Sequence, residues 1–292
     1  MASLKDFARI VTENVPLSRL TSIRVGGPAR FLYEPRTGVE LAGLVAALRS
    51  EKVSFRIIGG GTNIVASDGG FDGAVIRLAG EFARLEFDGT RAVAGAAAPL
   101  SRLVRECAER GLAGAEGLVG IPGSIGGALA MNAGGRWGEI GQIVESARVL
   151  ESGGTARELP ASAITFEYRH SSLRGQVVLS AAFRLRESDP RAVRAAGEGY
   201  LAEKRVTQDL GAASAGCIFK NPSPGVSAGA LIDKAGLKGA KLGGAQISQV
   251  HANFIVNAGG ATAKDVLGLA ELTKSRVREA FGVDLEYEVE LW

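Results

Sequence analysis

The amino-acid sequence predicts an α+β protein of about two domains, in which strand-like and helical stretches follow one another. A length of 292 residues is enough for about two domains with hydrophobic cores of their own. Short apolar runs with strand character alternate with segments whose apolar residues have helical spacing, and no internal repeat is present. Two glycine-rich stretches interrupt this pattern. A β-α-β pattern ends near residue 66, and the character of the sequence changes again after about residue 205, which predicts three segments, 1–66, 67–205 and 206–292.

The first segment is predicted to be a small β-α-β unit. Apolar residues at helical spacing predict a short amphipathic helix over 4–14. The residues after Thr21 predict a strand, which a turn at Gly26-Gly27-Pro28 interrupts. A helix is predicted over 38–51, and a strand over 53–58 then leads into three consecutive glycines.

The second segment is predicted to be rich in strands. Strands are expected over 74–78, 82–87, 91–94, 143–151, 155–160 and 176–186, and Asp88-Gly89 indicates a hairpin. A helix is expected between Pro99 and Gly111, since proline suits the start of a helix and glycine its end. A polar helix over 190–206 closes the segment.

The last segment mixes both types of element. A loop of small residues is predicted over 211–224, helices over 227–235 and 262–281, and strands over 251–257 and 285–292.

Composition and charge exclude several classes of function. The chain is 46% hydrophobic and 22% charged, which is typical of a globular protein, and 34 basic against 31 acidic residues give a net charge of only +3. We therefore expect neither nucleic acid nor a membrane surface as a partner. No long apolar run opens the chain, so neither a signal peptide nor a membrane span is expected. Two cysteines and two histidines predict no disulfide framework and no metal site, and they fit a reducing cytoplasm.

The glycine-rich stretches 59–61 and 120–135 are candidate phosphate cradles. Glycine allows backbone N–H groups to approach a pyrophosphate closely. Neither stretch is a P-loop, which would need a lysine, and Ile64 stands where a dinucleotide fingerprint has its third glycine. We predict that each loop grips one side of an extended dinucleotide. The alternative is that both are tight packing turns.

These stretches also resemble those of a known family, the UDP-N-acetylenolpyruvoylglucosamine reductases (MurB family). The resemblance rests on segments spread over nearly the whole chain: 21–27, 59–63, 120–127, 131–134, 168–171, 215–222, 231–233, 236–239 and 288–289. The compact sequence His251-Ala252-Asn253-Phe254 resembles the shorter class of the family, which lacks an extra loop carrying a tyrosine.

The resemblance implies a fold and a reaction. The expected fold is an FAD-binding unit of two α+β subdomains (1–66 and 67–205), of the vanillyl-alcohol-oxidase type, followed by a smaller α+β substrate domain (206–292). NADPH is the expected hydride donor and FAD the cofactor. The expected small-molecule substrate is UDP-GlcNAc-enolpyruvate, which is reduced to UDP-N-acetylmuramate for peptidoglycan. A cytoplasmic monomer is expected.

Three catalytic residues are carried over by the resemblance. Arg169 matches an arginine that stabilises negative charge on the substrate's carboxylate, a role that suits a permanently charged planar group. Cys217 matches a proton donor that is usually serine. Glu288 matches an acid that helps to stabilise or protonate the intermediate. From the residues alone, a surface ion pair, an inert packing thiol and a solvated carboxylate remain open, and Glu286 and Glu290 share the face of Glu288 if the segment is a strand.

The remaining candidate residues fall into two sets. The predicted cofactor-binding residues are Arg24, Gly59, Gly60, Gly61, Thr62, Asn63, Ile64, Gly120, Pro122, Gly123, Ser124, Gly126, Gly127, Asn132, Ala133 and Gly134. The predicted substrate-binding residues are Tyr168, Lys220, Asn221, Lys238 and His251, although His251 suits a structural role equally well. Cys107 is predicted to be a buried core thiol and His170 to be structural.

Two other functions remain open at this point. A flavin oxidase acting on alcohols has the same fold, but no histidine or cysteine stands where flavin could be attached covalently. A nucleotide-sugar binding module would need the glycine-rich loops only as structure. The flavin spectrum of the purified protein distinguishes that module from an enzyme.

Overall fold

The computed structural model describes residues 3–292, so the first two residues of the predicted segment 1–66 lie outside it. The α-helices are α1 (Gly38–Ser50), α2 (Leu100–Glu109), α3 (Ile125–Ala130), α4 (Pro190–Thr207), α5 (Ala228–Lys234) and α6 (Ala263–Phe281). The strands are β1 (Val11–Pro16), β2 (Pro28–Tyr33), β3 (Phe55–Ile58), β4 (Ile64–Val65), β5 (Phe71–Arg77), β6 (Leu85–Asp88), β7 (Arg91–Gly95), β8 (Leu112–Ala113), β9 (Gly134–Gly135), β10 (Gly138–Glu139), β11 (Val144–Leu150), β12 (Ala156–Pro160), β13 (Phe166–Glu167), β14 (His170–Ser171), β15 (Val177–Arg184), β16 (Arg186–Glu187), β17 (Ser214–Cys217), β18 (Lys241–Leu242), β19 (Ala245–Ile247), β20 (Phe254–Asn257) and β21 (Glu290–Leu291).

The chain forms two compact units, and each contains several separate stretches of sequence. Of the described residues, the first unit consists of 3–13, Phe31–Gly60 and Gly73–Glu203, and the second of Asn14–Arg30, Gly61–Asp72 and Lys204–Trp292. The predicted boundaries at 66 and 205 stay predictions, because they divide the chain only into contiguous segments.

The first unit contains a five-stranded sheet and part of a four-stranded sheet. A five-stranded antiparallel sheet has the order β12-β11-β15-β7-β6. The two-residue turn between β6 and β7 contains Gly89 at φ 53°, as the Asp88-Gly89 signal predicts. The second sheet has the order β1-β2-β5-β3, and within it β3 and β5 are parallel from Phe55↔Ala74 to Ile58↔Arg77.

Helices α1 and α2 bury apolar faces in the core of the first unit. Leu41, Leu44 and Leu48 of α1 are fully buried, and so are Leu100 and Leu103 of α2. These side chains recur at three- and four-residue intervals, so they lie on one face of each helix. The glycine-rich stretch 120–135 contributes the short helix α3, and the Ser124 hydroxyl caps it by accepting a hydrogen bond from Gly127 N–H (3.3 Å).

The second unit has its own sheet and its own core. Strands β17-β20-β19-β18 form an antiparallel sheet, and the short strands β4 and β21 pair in parallel. Helix α6 packs its buried residues Val266, Leu269 and Ala270 into this core. Its first turn is capped by Thr262 and Asp265, and its last by Gly282 at φ 68°.

Several predicted elements are wrong, in whole or in part. The strand predicted after Thr21 exists only beyond the glycine turn, as β2, because the Thr21 hydroxyl donates to the Val25 carbonyl (2.9 Å) and Arg24 has a φ of 59°, so residues 21–27 form turns and irregular backbone. The strand predicted over 82–87 begins only at Leu85, because the residues before it form a 3₁₀ turn (Gly80–Ala83).

Residues 4–14 form a single 3₁₀ turn (Leu4–Phe7) followed by strand β1, because Ser3 and Asp6 cap only one turn and β-branched residues with Pro16 follow it. The predicted strand 285–292 is regular only at β21, and the predicted loop 211–224 contains β17. In both places the pairing partner is distant in sequence, so local spacing does not reveal it.

No helix within residues 3–292 is long and apolar enough to cross a membrane. Over the same residues, no group of three or more histidine, cysteine, aspartate or glutamate side chains is arranged to hold a metal ion.

Candidate active site

The structure brings the predicted site residues together in two groups, one within each compact unit. In the first unit, Tyr168 and Arg169 form the two-residue turn between β13 and β14, where Glu167 pairs with His170. Arg169 has a φ of 57°, a left-handed conformation that is uncommon for a residue with a side chain. Its guanidinium carbon lies 5.0 Å from the centre of the Tyr168 ring, which is within the range of a cation–π contact. The turn therefore presents a half-buried cation in a conformation that its surroundings must maintain.

The two glycine-rich loops meet in this unit. A Cβ atom on Gly59 would overlap Ser124 Oγ, so only glycine allows this contact. Among the described residues, the backbone N–H groups of Gly60 and Gly123 donate to no protein acceptor. Two free amides on adjoining loops are the donor set that a pyrophosphate needs, so the residues present fit the FAD that the sequence predicts.

Other glycines of the predicted cofactor set are required by packing. A Cβ on Gly126 would lie 3.1 Å from the Ala96 side chain. Gly134 lies so close to Glu139 on the neighbouring strand β10 that a Cβ would come within 2.6 Å of its Cα atom. Gly61, in the second unit, has a φ of 62°, and a Cβ there would overlap the Leu20 carbonyl oxygen. Packing therefore requires glycine at these three positions.

Cys217 lies on a β-bulge in the second unit. Strand β17 pairs with β20 at Ser214↔Val256 and at Cys217↔Phe254, with a shift of register between the two pairs. Gly216 makes the bulge at φ 76°, where a side chain would meet no neighbour but the backbone would be strained. Bulges re-aim the side chain that follows them, and here that side chain is the half-buried Cys217.

Glu288 is held next to the Cys217 segment by backbone pairing. Its N–H donates to the carbonyl of Ile218 (2.8 Å), and Lys220 N–H donates to the carbonyl of Glu286 (2.9 Å). Asn63 holds the same residue from a different segment, because its side-chain amide donates to the Glu288 carbonyl (3.0 Å). Two of the three predicted catalytic residues, Cys217 and Glu288, are thus on adjacent paired segments.

The predicted substrate-binding residues of the second unit are all engaged with protein partners. Lys220 Nζ lies 3.5 Å from Glu286 Oε2, and Lys238 Nζ lies 2.8 Å from Asp233 Oδ2. Asn221 Oδ1 accepts a hydrogen bond from the backbone of Ala228 (3.0 Å). The two lysines are half-buried, so binding an anion there requires an exchange of partners.

The surroundings of His251 disfavour the charged form of its imidazole. Burial, together with the nearby positive charge of Lys238, lowers the pKa of its imidazole below the usual value. Its Nδ1 atom accepts a hydrogen bond from Asn253 N–H (3.3 Å), which leaves Nε2 as the protonated nitrogen.

Sequence reasoning missed the residues that hold the site in place. Asn253 is buried and brackets Phe219, with Oδ1 accepting from its N–H (3.0 Å) and Nδ2 donating to its carbonyl (2.7 Å). Ser171 is fully buried below the Arg169 turn. Asn132 and Asn63, which were predicted to bind the cofactor, use their side chains on protein partners. A polar residue inside an otherwise apolar segment was the available signal for Asn253.

The chain contains a domain that is similar to known FAD-binding domains. A family model for FAD-binding domains matches residues 29–160. A variant of Phl p 4, a glucose dehydrogenase, shares the fold, with a TM-score of 0.50 and 18% identity over 64% of this chain and 43% of that chain. The protein is therefore a flavoprotein with an FAD-binding domain of the vanillyl-alcohol-oxidase type, and the predicted fold class is confirmed.

The second part of the chain identifies the family. A model for the C-terminal domain of UDP-N-acetylenolpyruvoylglucosamine reductase matches residues 208–292. UDP-N-acetylenolpyruvoylglucosamine reductase 2 of Symbiobacterium thermophilum is 44% identical over 279 residues, which are 95% of this chain and 90% of the relative. The crystal structure of the Thermus caldophilus reductase (MurB) is 40% identical with a TM-score of 0.85, and covers 96% of this chain and 98% of that chain.

The chain belongs to the UDP-N-acetylenolpyruvoylglucosamine reductase family. Members are flavin oxidoreductases that use FAD and NADPH in the synthesis of UDP-N-acetylmuramate for peptidoglycan. The predicted family, enzyme class and cofactors are thus confirmed.

Proposed function

We propose that this chain reduces the enolpyruvyl group of UDP-GlcNAc-enolpyruvate to give UDP-N-acetylmuramate, with Arg169, Cys217 and Glu288 as its catalytic residues. The observation that carries the proposal is family membership at 44% identity over 95% of the chain. The reaction adds a hydride to the terminal carbon of the double bond and a proton to the neighbouring carbon. When bound, FAD supplies the hydride that it has received from NADPH.

Arg169 stabilises the negative charge that develops on the substrate. Hydride addition to an enolpyruvyl ether leaves electron density that is delocalised into the carboxylate. A guanidinium stays charged at any working pH and grips a carboxylate with two parallel hydrogen bonds. The half-buried position of Arg169 strengthens this attraction, because less water screens it.

Cys217 and Glu288 supply the proton in our proposal. The bulge at Gly216 and the pairing of Glu288 N–H with the Ile218 carbonyl support a joint role, since they put the two residues on neighbouring segments. Cys217 is the donor and must enter the reaction protonated. Glu288 stabilises or protonates the intermediate beside it.

The binding residues complete the proposal. Gly60 and Gly123 donate backbone N–H groups to the pyrophosphate of FAD, and the other predicted residues of the two loops shape the cradle. Lys220, Asn221, Lys238, His251 and Tyr168 bind the nucleotide-sugar. Segments 1–66 and 67–205 form the FAD-binding part and 206–292 the substrate domain of a cytoplasmic monomer from the shorter class of the family.

The test separates the two half-reactions by stopped-flow spectroscopy. NADPH should bleach the flavin of the unaltered protein, and UDP-GlcNAc-enolpyruvate should restore its colour. Arg169→Lys keeps the positive charge but loses the planar guanidinium, which can bind a carboxylate with two parallel hydrogen bonds. It should therefore slow only the second step, the reoxidation of the flavin by UDP-GlcNAc-enolpyruvate, by roughly tenfold or more. Equal slowing of both steps would assign Arg169 to flavin binding or folding instead. Protein that never retains flavin would leave only a binding module.

A further inference from the structure

The Tyr168–Arg169 turn is anchored from both of its strands by buried polar side chains. On the β13 side, Asn132 Nδ2 donates to the carbonyl of Glu167, the residue before the turn (3.0 Å). On the β14 side, Ser171 Oγ donates to the carbonyl of Leu129 (2.7 Å). Leu129 lies in α3 and Asn132 just after it, so both anchors connect the turn to the same glycine-rich stretch.

Asn132 uses all of its donors in this arrangement. It is only 1% exposed, and its backbone is left-handed at φ 42°. The second N–H of its amide donates to Glu139 Oε2 (2.8 Å), while its Oδ1 accepts from Gly141 N–H (3.1 Å). An asparagine amide has two N–H donors, and here both are taken by the protein. The side chain thus has no donor left for a cofactor.

The turn needs such anchors. Strands β13 and β14 have two residues each, and a hairpin of that size is not stable by itself. A non-glycine residue with positive φ, such as Arg169, persists only where the surrounding structure determines its conformation. The hydrogen bonds of Asn132 and Ser171 fix the backbone two residues before Arg169, at Glu167, and two residues after it, at Ser171.

We propose that Asn132, assisted by Ser171, is a positioning residue that fixes the Arg169 turn so that the guanidinium meets the substrate's carboxylate. This inference rests on the proposed function of Arg169. Without these two hydrogen-bonded contacts the turn changes conformation, and the Arg169 guanidinium no longer makes both of its hydrogen bonds to the carboxylate. The reacting group is then held less well in place.

The test measures binding to the flavin-loaded protein by calorimetry with two probes. UDP-N-acetylmuramate carries the carboxylate, and UDP-N-acetylglucosamine lacks it. Asn132→Ala and Asn132→Gly should weaken binding of the first probe roughly tenfold or more and leave the second within about twofold. Glycine accepts a φ of 42° without strain, so an equal loss in both variants assigns the effect to the missing amide.

Two serine variants provide the matched comparison. Ser171→Ala should also weaken binding of UDP-N-acetylmuramate selectively. Ser146, a buried serine in β11, makes an equally short hydrogen bond from its Oγ to Glu158 Oε1 in β12 (2.7 Å). Ser146→Ala removes this bond and should leave both affinities unchanged. If the Asn132 variants do not fold, the comparison of Ser171→Ala with Ser146→Ala decides.

Each contrary outcome has one meaning. Normal binding of both probes by the Asn132 variants, while Arg169→Ala loses the first probe, would reject the positioning role and keep the function of Arg169. Equal loss of both probes would show a general structural role and also reject the inference. Normal binding of UDP-N-acetylmuramate by Arg169→Ala would reject the proposed function of Arg169 and this inference with it.

Discussion

Cys107 and Cys217 differ in the properties that control the reactivity of a thiol. Cys107 lies on the inner face of α2 and is 1% exposed, and burial, together with the Glu116 and Glu106 carboxylates, raises its pKa to about 12. Cys217 is half-buried on its bulge. A thiol-specific reagent at pH 7.5 should therefore label one cysteine in the folded protein and both after unfolding. Labelling of folded Cys217→Ser would contradict this expectation.

The side chain of Cys217 should matter for one half-reaction only. Cys217→Ala removes the proposed proton donor, and a positioned acid contributes about 10²–10⁴-fold in rate. Substrate reduction should fall by that factor, while flavin reduction by NADPH continues nearly unchanged in the stopped-flow assay. Cys217→Ser should stay active, because a hydroxyl can still donate a proton. In the unaltered protein substrate reduction should decline at alkaline pH, where a thiol donor loses its proton, and in Cys217→Ser this decline should move to higher pH, since a hydroxyl is the weaker acid. Normal substrate reduction by Cys217→Ala would leave Glu288 as the donor.

At the residue scale, the sequence predicts candidates better than it predicts their contacts. The resemblance identifies Arg169, Cys217 and Glu288 as candidate catalytic residues, and their roles stay predictions. It could not show that the amide of Asn63 is bonded to the Glu288 carbonyl, or that of Asn132 to the Glu167 carbonyl. Such bonds join segments that are far apart in the chain, and no local pattern marks them.

At the scale of elements, helices with clear caps and apolar periods were predictable. α2, α5 and α6 lie within a residue or two of their predicted bounds, because proline, serine, threonine and glycine stand at their ends. The helix predicted over 4–14 is wrong because the pairing of β1 in a sheet overrides a short helical pattern. The strand predicted over 285–292 is regular only at β21, because its pairing partner is β4, more than two hundred residues earlier in the chain.

Helix α6 has a cap that comes from outside its own segment. The Asp68 carboxylate accepts hydrogen bonds from the N–H groups of Ala263 (2.7 Å) and Lys264 (2.9 Å), in addition to the local Thr262 cap. Asp68→Ala should lower the free energy of unfolding by about 1 kcal/mol, because two donors and a favourable charge at the helix start are lost. Urea unfolding measures this loss.

Asp72→Ala is the matched control for that experiment. Asp72 forms an exposed ion pair with Arg30 (3.2 Å), and such pairs contribute only about 0–1 kcal/mol. Asp68→Asn keeps a hydrogen-bond acceptor but not the charge, so its loss of unfolding free energy should lie between those of Asp72→Ala and Asp68→Ala. A free energy of unfolding for Asp68→Ala that equals that of the unaltered protein would show that α6 does not depend on this cap.

At the scale of the whole molecule, the second unit is not contiguous in sequence. Ile23, Val25 and Val65 are buried in the same hydrophobic core as α6 and the strands β19 and β20, although they come from the beginning of the chain. The backbone adds further connections within the unit, because Asn257 Nδ2 donates to the Ile23 carbonyl (3.1 Å) and β4 pairs with β21. A segment boundary near residue 205 therefore does not mark the limit of a self-sufficient core.

This arrangement predicts that the isolated segment 206–292 does not fold on its own. It would lose Ile23, Val25 and Val65 from its core, and full burial of such side chains stabilises a protein by roughly 1.5–3 kcal/mol each. It would also lose the Asp68 cap of α6 and the partner strand of β21. Together these losses approach the whole stability of a typical domain, about 5–15 kcal/mol. Far-ultraviolet circular dichroism of the fragment should show no cooperative thermal transition, whereas the full chain under the same conditions should show one. A sharp transition in the fragment would mean that residues 14–30 and 61–72 only cover a core that is already complete without them.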